Sequence, residues 1–310
     1  MSSPRVSIIT PSYNQAQYLE QCIVSVLEQD YPNIEYIIMD GGSSDGSVEI
    51  IKKYAHRLAY WVSQPDGGQS AAINAGLRRS TGEIWAWMNA DDAYLPGAVS
   101  KAAAWLFEHP EHDIIYGDCI EIDANGANLH YRQSKKIEPS KMMTDGIHIP
   151  SGSTFIRRRV REHIGNLNES LHYVMDIEYW LRAFLKVSFG YVPETLSQYR
   201  IHAKAKTFDS DQSRVRGEEM LNTYLAFWNR ADIPPHLKPI RTRSLAGICL
   251  FAADLACSVG DRPLCLQYIQ KAFNLDGITA IQPRLIRLLI HMFFSERAVR
   301  YIRNFWKTAA

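Results

Sequence analysis

The chain has 310 residues, 46% of them hydrophobic and 22% charged, with a formal net charge of +1. These totals describe a soluble globular protein with an ample core, large enough for one domain with an appendage or for two domains. A near-neutral balance supplies no general basic surface for nucleic acid, no apolar run reaches the roughly 18 residues of a membrane span, and five cysteines without C-x-x-C spacing argue for buried thiols rather than zinc or disulfides. Met-Ser-Ser-Pro-Arg leads straight into a strand, so no secretory signal is expected and the chain reads as cytoplasmic.

Val6 to Thr10 is a β-branched apolar run ending at Pro11, a first strand. Leu19, Cys22, Ile23, Val26 and Leu27 recur at helical spacing and stop before Pro32. Ile34 to Met39 is a second strand ending at Asp40, and Gly41 to Gly46 make the turn, with Asp45 placed as the N-cap of a helix through Ile50, Ile51 and Tyr54. A third strand, Leu58 to Val62, leads to Asp66-Gly67-Gly68 and a helix carrying Ala72, Ile73, Asn74 and Leu77. Ile84 to Met88 is a buried strand by its length and its two tryptophans, and it runs straight into Asn89-Ala90-Asp91-Asp92. A helix follows Pro96, then a strand from Ile114.

Strand and helix alternate four times with short connections, which predicts a mostly parallel sheet covered on both faces. Thr10, Asp40, Asp66 and Asp91 each stand at a strand end, so in a parallel sheet they share one crevice. Adjacent acids such as Asp91 and Asp92 repel each other, and a hard divalent cation would remove that repulsion; a solvated turn capping the next helix is the competing reading. No G-x-G-x-x-G follows the first strand, and no P-loop, H-E-x-x-H or G-x-S-x-G is present.

From Tyr131 to about Pro150 the pattern is irregular and a mobile loop is expected. Thr154 to Ile156 reads as a short strand and Val160 to Ile164 as a short helix. Met175-Asp176-Ile177-Glu178 opens a further helix, with Asp176 at its first turn, where an N-cap is the competing reading. Phe189 to Val192 and Ser197 to Ile201 look extended, Ala203 to Arg216 reads as a linker, and everything beyond is helical.

Four motifs now stand in order: Val6 to Asn14, Asp40 to Gly46, Asn89 to Asp92 and Met175 to Glu178. Together they resemble glycosyltransferase family 2, over about the first 205 residues. The resemblance implies a GT-A type α/β domain, a Rossmann-like sheet flanked by helices, over residues 1–205; the helical region over 206–310 is read from the residues themselves and carries no family signal. It also implies a metal-dependent, inverting transfer of a sugar from a nucleoside-diphosphate donor, a UDP-sugar for preference, to a hydroxyl on a glycan or lipid-linked acceptor. Surface polysaccharide or glycolipid assembly is the implied setting. By the same resemblance, Thr10, Pro11, Tyr13 and Asn14 would hold the nucleotide and Asp40 would accept a base N–H. Asp66 and Asn74 match a second donor-side motif. Asn89-Ala90-Asp91 takes the place of D-x-D, with Asp91 the ligand of Mg²⁺ or Mn²⁺, Asp92 in support and His202 a further metal or diphosphate contact. Asp176 would be the general base. The first acid of D-x-D is Asn89 here, which brings no charge, so metal affinity without nucleotide should be weaker than in a two-acid site.

The chemistry suits such a crevice: a cation acts on the leaving diphosphate as Lewis acid and template, and a carboxylate across the sugar takes the acceptor proton. A sugar nucleotidyltransferase would need a Gly/Arg/Lys-rich loop where Pro11-Ser12-Tyr13-Asn14 stands. A non-catalytic carbohydrate-binding or scaffold protein would have no reason to keep both Asp91 and Asp176.

Residues 283–307 form a last element in which Leu285, Leu288, Leu289, Phe293 and Trp306 alternate with Arg284, Arg287, Arg300, Arg303 and Lys307. A helix with an aromatic apolar face and a basic polar face lies in a membrane interface, where each basic residue near anionic lipid contributes about 1 kcal/mol; packing on the chain's own helices is the competing reading. Peripheral attachment to the inner face of the cell membrane predicts that the full chain pellets with anionic vesicles and is released by salt. A chain truncated after Gln282 should stay in the supernatant, and indifference of both to vesicles would make the segment core.

Overall fold

The computed structural model describes residues 3–134, 136, 142–144, 146–147, 149–203, 205–206, 212–277, 285–286 and 288–289. The chain divides into two compact units, residues 1–137 with 148–205 and residues 138–147 with 206–310. In chain order the first unit contains β1 (Val6–Ser12), α1 (Ala16–Leu27), β2 (Ile34–Asp40), α2 (Ser47–Tyr54), β3 (Tyr60–Ser63), α3 (Gln69–Arg79), β4 (Ile84–Trp87) and β5 (Ala93–Tyr94). It continues with α4 (Ala98–Glu108), β6 (Ile114–Ile122), β7 (Asn128–Arg132), β8 (Thr154–Arg157), α5 (Arg158–Ile164), α6 (Met175–Phe184) and β9 (Phe189–Arg200).

Among the described residues these make one sheet of nine strands in the order β3-β2-β1-β4-β8-β6-β9-β5, with β7 on β6. β1 pairs in parallel with both β2 and β4, and β2 with β3. Strands in that position have no wet face, and β1 and β4 are buried at every residue. Alternation then sends side chains to two cores. Val6, Ile8, Ile84, Ala86 and Met88 join the apolar stripes of α1 and α4 on one face. On the other, Ile9 meets α3 at Gly76, and Trp85 and Trp87 meet Tyr179 and Trp180 of α6 at ring separations of 6.0 and 5.6 Å.

β8 is antiparallel to both β4 and β6, and β9 is parallel to β6. Two reversals restore the direction, so β1, β2, β3, β4, β6 and β9 all end at one edge of a mixed, mostly parallel sheet. The site is built on that edge.

Local sequence reading differs from the structure in three places. The two extended pieces at 189–192 and 197–201 are one strand, β9, which passes through the exposed Pro193 and Glu194 at a bulge. Gly117 on β6 permits this, because a Cβ there would stand 2.6 Å from the Glu194 carbonyl oxygen. Tyr131 and Arg132 finish β7 in a hairpin with β6, closed by Asp123 Oδ1 accepting the N–H groups of Asn125 (2.8 Å) and Ala127 (2.9 Å). The turn after Asp92 contains the two-residue strand β5, antiparallel to β9. Such a strand is too short to carry periodicity.

The second unit contains α7 (Ser213–Trp228), α8 (Arg241–Ser258) and α9 (Arg262–Leu275). α8 packs against both of the others, and α9 is capped by Asp261, whose carboxylate accepts the Leu264 N–H at 3.1 Å. Trp228 Nε1 donates to Ser244 Oγ, which donates to the Met143 carbonyl. Among the described residues no helix is long and apolar enough to cross a membrane. The membrane-interface segment 283–307 lies, apart from four residues, outside the described chain, as do residues 135, 137–141, 145 and 148 of the loop expected before Pro150.

Candidate active site

Asp40, at the end of β2, is a hub rather than an open acceptor. Its Oδ2 accepts from Gly42 N (3.2 Å), Ser43 N (2.9 Å) and Ser63 Oγ (2.6 Å), and its Oδ1 from Ser43 Oγ (2.6 Å). It is 1% exposed, so its remaining acceptor capacity lies on Oδ1. Asn14 stands in the left-handed region (φ 52°), where Asn is tolerated, and clasps the same loop: its N–H donates to Ser43 Oγ and its Oδ1 accepts the Ser44 N–H. Asp45 serves two helices at once, accepting from Ser47 N–H in α2 (3.1 Å) and from Ala16 N–H in α1 (2.9 Å). Tyr13, 63% exposed, and the Asp66 carboxylate lie on either side of Gly41, each about 3.3 Å from where a Cβ would stand. That pair faces outward.

Two residues expected at the nucleotide direct their polar groups into the protein. Thr10 is wholly buried, with its hydroxyl 3.0 Å from Tyr36 Oη and 3.9 Å from Cys22 Sγ. Strand alternation puts it on the same face as Ile8, beneath α1. Asn74 is equally spent: Nδ2 donates to the Leu167 carbonyl (2.9 Å) and to Glu169 Oε1 (2.8 Å), while Oδ1 accepts the Leu167 N–H (3.1 Å). It pins the 167–169 segment to α3. Pro11 is buried. Ser12, which follows it, keeps a buried Oγ with no partner among the described residues.

The turn after β4 separates its two acids. Asp92 is 3% exposed and turned inward; Oδ1 accepts the Arg200 N–H (2.8 Å) and Oδ2 accepts from Asn89 Nδ2 (3.1 Å). Burial, and then the neighbouring Asp91 charge, push its carboxyl well above the usual carboxylate range. Asp92, expected as a supporting metal ligand, is instead an internal strut. Asp91 keeps its side chain at the surface of the crevice, and its Oδ2 lies 3.1 Å from His202 Nε2, a residue 111 positions away. These two, Asp91 and His202, are the expected metal contacts that the fold brings together. Asn89 bridges: its Oδ1 accepts from Gln69 Nε2 (2.8 Å) while its amide serves Asp92.

Consecutive residues of α3 join the two sides of the crevice. Gln69 holds Asn89, and Ser70 Oγ donates to Met175 Sδ (2.8 Å) at the start of α6. Asp176 follows in the first turn. The N-cap is Val174, so Asp176 is not the cap. Its carboxylate accepts the backbone N–H of Ile177 (2.8 Å). Burial raises its pKa above the ordinary aspartate value. That is how a carboxylate is made a better proton acceptor near neutrality.

Gln69, Ser63 and Arg200 escaped the reading of the sequence. Arg200 carried a signal, an arginine two places before His202 at a strand end, but its partners come from remote segments. No three-residue cluster of metal-binding side chains forms among the described residues. The Asp91 carboxylate nevertheless suits a hard cation of the Mg²⁺ or Mn²⁺ type, which binds through one or two carboxylates and takes substrate phosphates and water for the rest, with the His202 imidazole beside it as a softer nitrogen donor. Asp91 and His202 fit a cation that arrives with its diphosphate.

A sheet whose strand ends converge in this way is the GT-A type of glycosyltransferase fold, and two solved structures share it. Staphylococcus aureus TarS 1–349, in complex with UDP-GlcNAc, superposes with a TM-score of 0.57 at 18% identity, over 89% of this chain and 90% of that one. Mannosyltransferase PcManGT from Pyrobaculum calidifontis, in complex with GDP-Man and Mn²⁺, gives 0.59 at 19% identity, over 96% and 89%. Residues 7–165 match the family model for glycosyl transferase family 2. An uncharacterised glycosyltransferase of Rickettsia typhi is 32% identical over 235 residues, 73% of this chain and 71% of its own length. The chain spans about a third of three other Rickettsia relatives and half of a longer TarS chain. The chain belongs to glycosyltransferase family 2.

The Asn89–Asp92 bond predicts the result of restoring D-x-D. In Asn89→Asp a second carboxylate would face the buried Asp92 oxygen, replacing a donor by a like charge. Chemical denaturation should show a loss of about 1–3 kcal/mol, the cost of leaving such a group unsatisfied, with no gain in Mn²⁺ affinity. Equal stability with tighter metal binding would remove Asn89 from this role.

Proposed function

We propose that this glycosyltransferase moves a sugar from a nucleoside-diphosphate donor to an acceptor hydroxyl in a single displacement that inverts the anomeric centre. The observation that carries the reading is the meeting of Asp91 and His202 at 3.1 Å on the edge where the strands end. UDP-GlcNAc in TarS and GDP-Man with Mn²⁺ in PcManGT support a nucleotide-sugar donor and a divalent cation here. The acceptor is a glycan or lipid-linked hydroxyl.

Tyr13, Asp66 and the loop held by Asp40 and Asn14 form the nucleotide end, with Asp40 Oδ1 as the acceptor for a base N–H. Asp91 and His202 would hold Mg²⁺ or Mn²⁺, which neutralises charge on the leaving diphosphate. Across the crevice Asp176 takes the proton of the attacking hydroxyl as its oxygen bonds to the anomeric carbon and the bond to the diphosphate breaks. Burial of Asp176 serves this step, and the backbone N–H of Ile177 at the start of α6 keeps its carboxylate aimed.

Replacing the base tests the first half. Asp176→Asn should leave donor affinity unchanged and lower turnover by about 10²–10⁴-fold. Because burial raises the Asp176 pKa, the acidic limb of the wild-type pH–rate profile should lie above the ordinary aspartate value, with activity falling as pH drops through it. Near-normal turnover in Asp176→Asn would return the residue to a purely structural place in α6.

The metal half is read by calorimetry. Asp91→Ala should abolish the Mn²⁺-dependent part of UDP or GDP binding, and His202→Ala should weaken it less. Wild-type affinity that is indifferent to EDTA would refute the metal assignment for both residues.

A further inference from the structure

Asp91 and His202 lie on separate segments, and nothing in their own bond explains why those segments register. Arg200 does. It is 2% exposed, and its backbone N–H donates to Asp92 Oδ1 at 2.8 Å. Its guanidinium reaches three further places: Nε donates to the Asp91 carbonyl (2.9 Å), Nη1 to the carbonyls of Asp123 (3.0 Å) and Ala124 (3.3 Å), and Nη2 to Gln21 Oε1 (2.6 Å). One side chain thus ties the Asp91 turn, the β6–β7 turn and α1 to the end of β9.

The same guanidinium stands 4.7 Å from the centroid of the Tyr18 ring, and that ring lies 4.7 Å from the His202 ring. Tyr18 therefore touches both Arg200 and His202 and packs against the imidazole. A planar fork with five donors can bind acceptors in several directions at once, whereas an ammonium is a point charge on a flexible stem. We infer that Arg200 is a positioning residue for the glycosyl-transfer site: by gripping the Asp91 backbone and backing the tilted Tyr18–His202 ring contact, it sets the separation of Asp91 and His202. The inference rests on that pair being the cation and diphosphate end of the site.

The test needs no acceptor. In wild-type protein with ¹⁵N-labelled histidine, the His202 ring, assigned by loss of its signals in His202→Ala, should show the Nε2–H tautomer expected of a hydrogen bond to Asp91. Arg200→Met should abolish that tautomer preference and lower Mn²⁺·UDP or Mn²⁺·GDP affinity by about 10–100-fold, the usual effect of removing a group that orients metal ligands. Arg200→Lys, which keeps the charge and loses the fork, should fail to restore either readout. Gln21→Met removes one tether without leaving a buried charge uncompensated; it should move the same His202 signals by less, and it carries the test if Arg200→Met does not fold. Unmoved His202 signals in every folded variant would overturn the inference, as would a wild-type ring without the Nε2–H tautomer. If the signals move but wild-type protein binds neither nucleotide with Mn²⁺, the functional reading fails while the positioning role stands.

Discussion

The burial of Asp92 is the constraint on which the site depends. A carboxylate removed from water must find donors or give up its charge, and this one sits next to a second acid. Its donors come from Arg200 at the end of β9 and from Asn89 at the end of β4. Asn89 is held in turn by Gln69 at the start of α3. Satisfying one buried acid therefore sets the relation of three elements, and it leaves Asp91 as the acid of the pair that faces the crevice. Asn89 follows from the same constraint, since an amide can donate to Asp92 and a carboxylate cannot.

A similar division runs along the whole edge. Asp40, Asn14 and Asp45 spend their hydrogen bonds on the protein and shape the loop after β2, while Tyr13 and Asp66 remain turned outward. Asn74 and Ser70 are consumed in holding the segment that leads to Asp176. A group that meets a ligand must keep acceptor or donor capacity unspent, and the residues meeting that condition are Asp91, His202, Asp66, Tyr13 and Asp176, with Oδ1 of Asp40 beside them. The others form the floor on which these stand. This explains how a chain can match a family's motifs in order while Thr10, Asn74 and Asp92 direct their polar groups into the protein.

The second unit is held by different means, a helix packed on both sides with one polar chain from Trp228 through Ser244 to Met143. Its central helix, α8, is buried over the consecutive residues 244–250, and Asp261 caps α9. No group in it resembles the acid and histidine arrangement of the first unit among the described residues.

Strands β1, β2 and β4 were legible because a strand with both faces covered must be apolar throughout, and α1 because a helix with one covered face must repeat at about 3.6 residues. Those local patterns, with Asp or Thr at each strand end, were enough to predict the sheet and its functional edge; the family came from the resemblance of four motifs in order. Strand parity alone could have warned that Thr10 lies beneath α1 with Ile8. The rest depended on partners remote in the chain. β5 has two residues and exists only because β9 lies beside it; β9 passes through Pro193 only because Gly117 lets the bulge approach. The insertion of β8 between β4 and β6 reverses the direction twice and so returns the end of β9 to the edge where β4 ends. By itself the sequence determined the longer buried strands and the amphipathic helices of the first unit and which residues could do chemistry, because burial and periodicity are local properties. Tertiary structure alone decided which acid turns inward, which residues are spent on the floor, and that Asp91 meets His202 across 111 residues, because hydrogen-bond partnership is settled only when remote segments pack together.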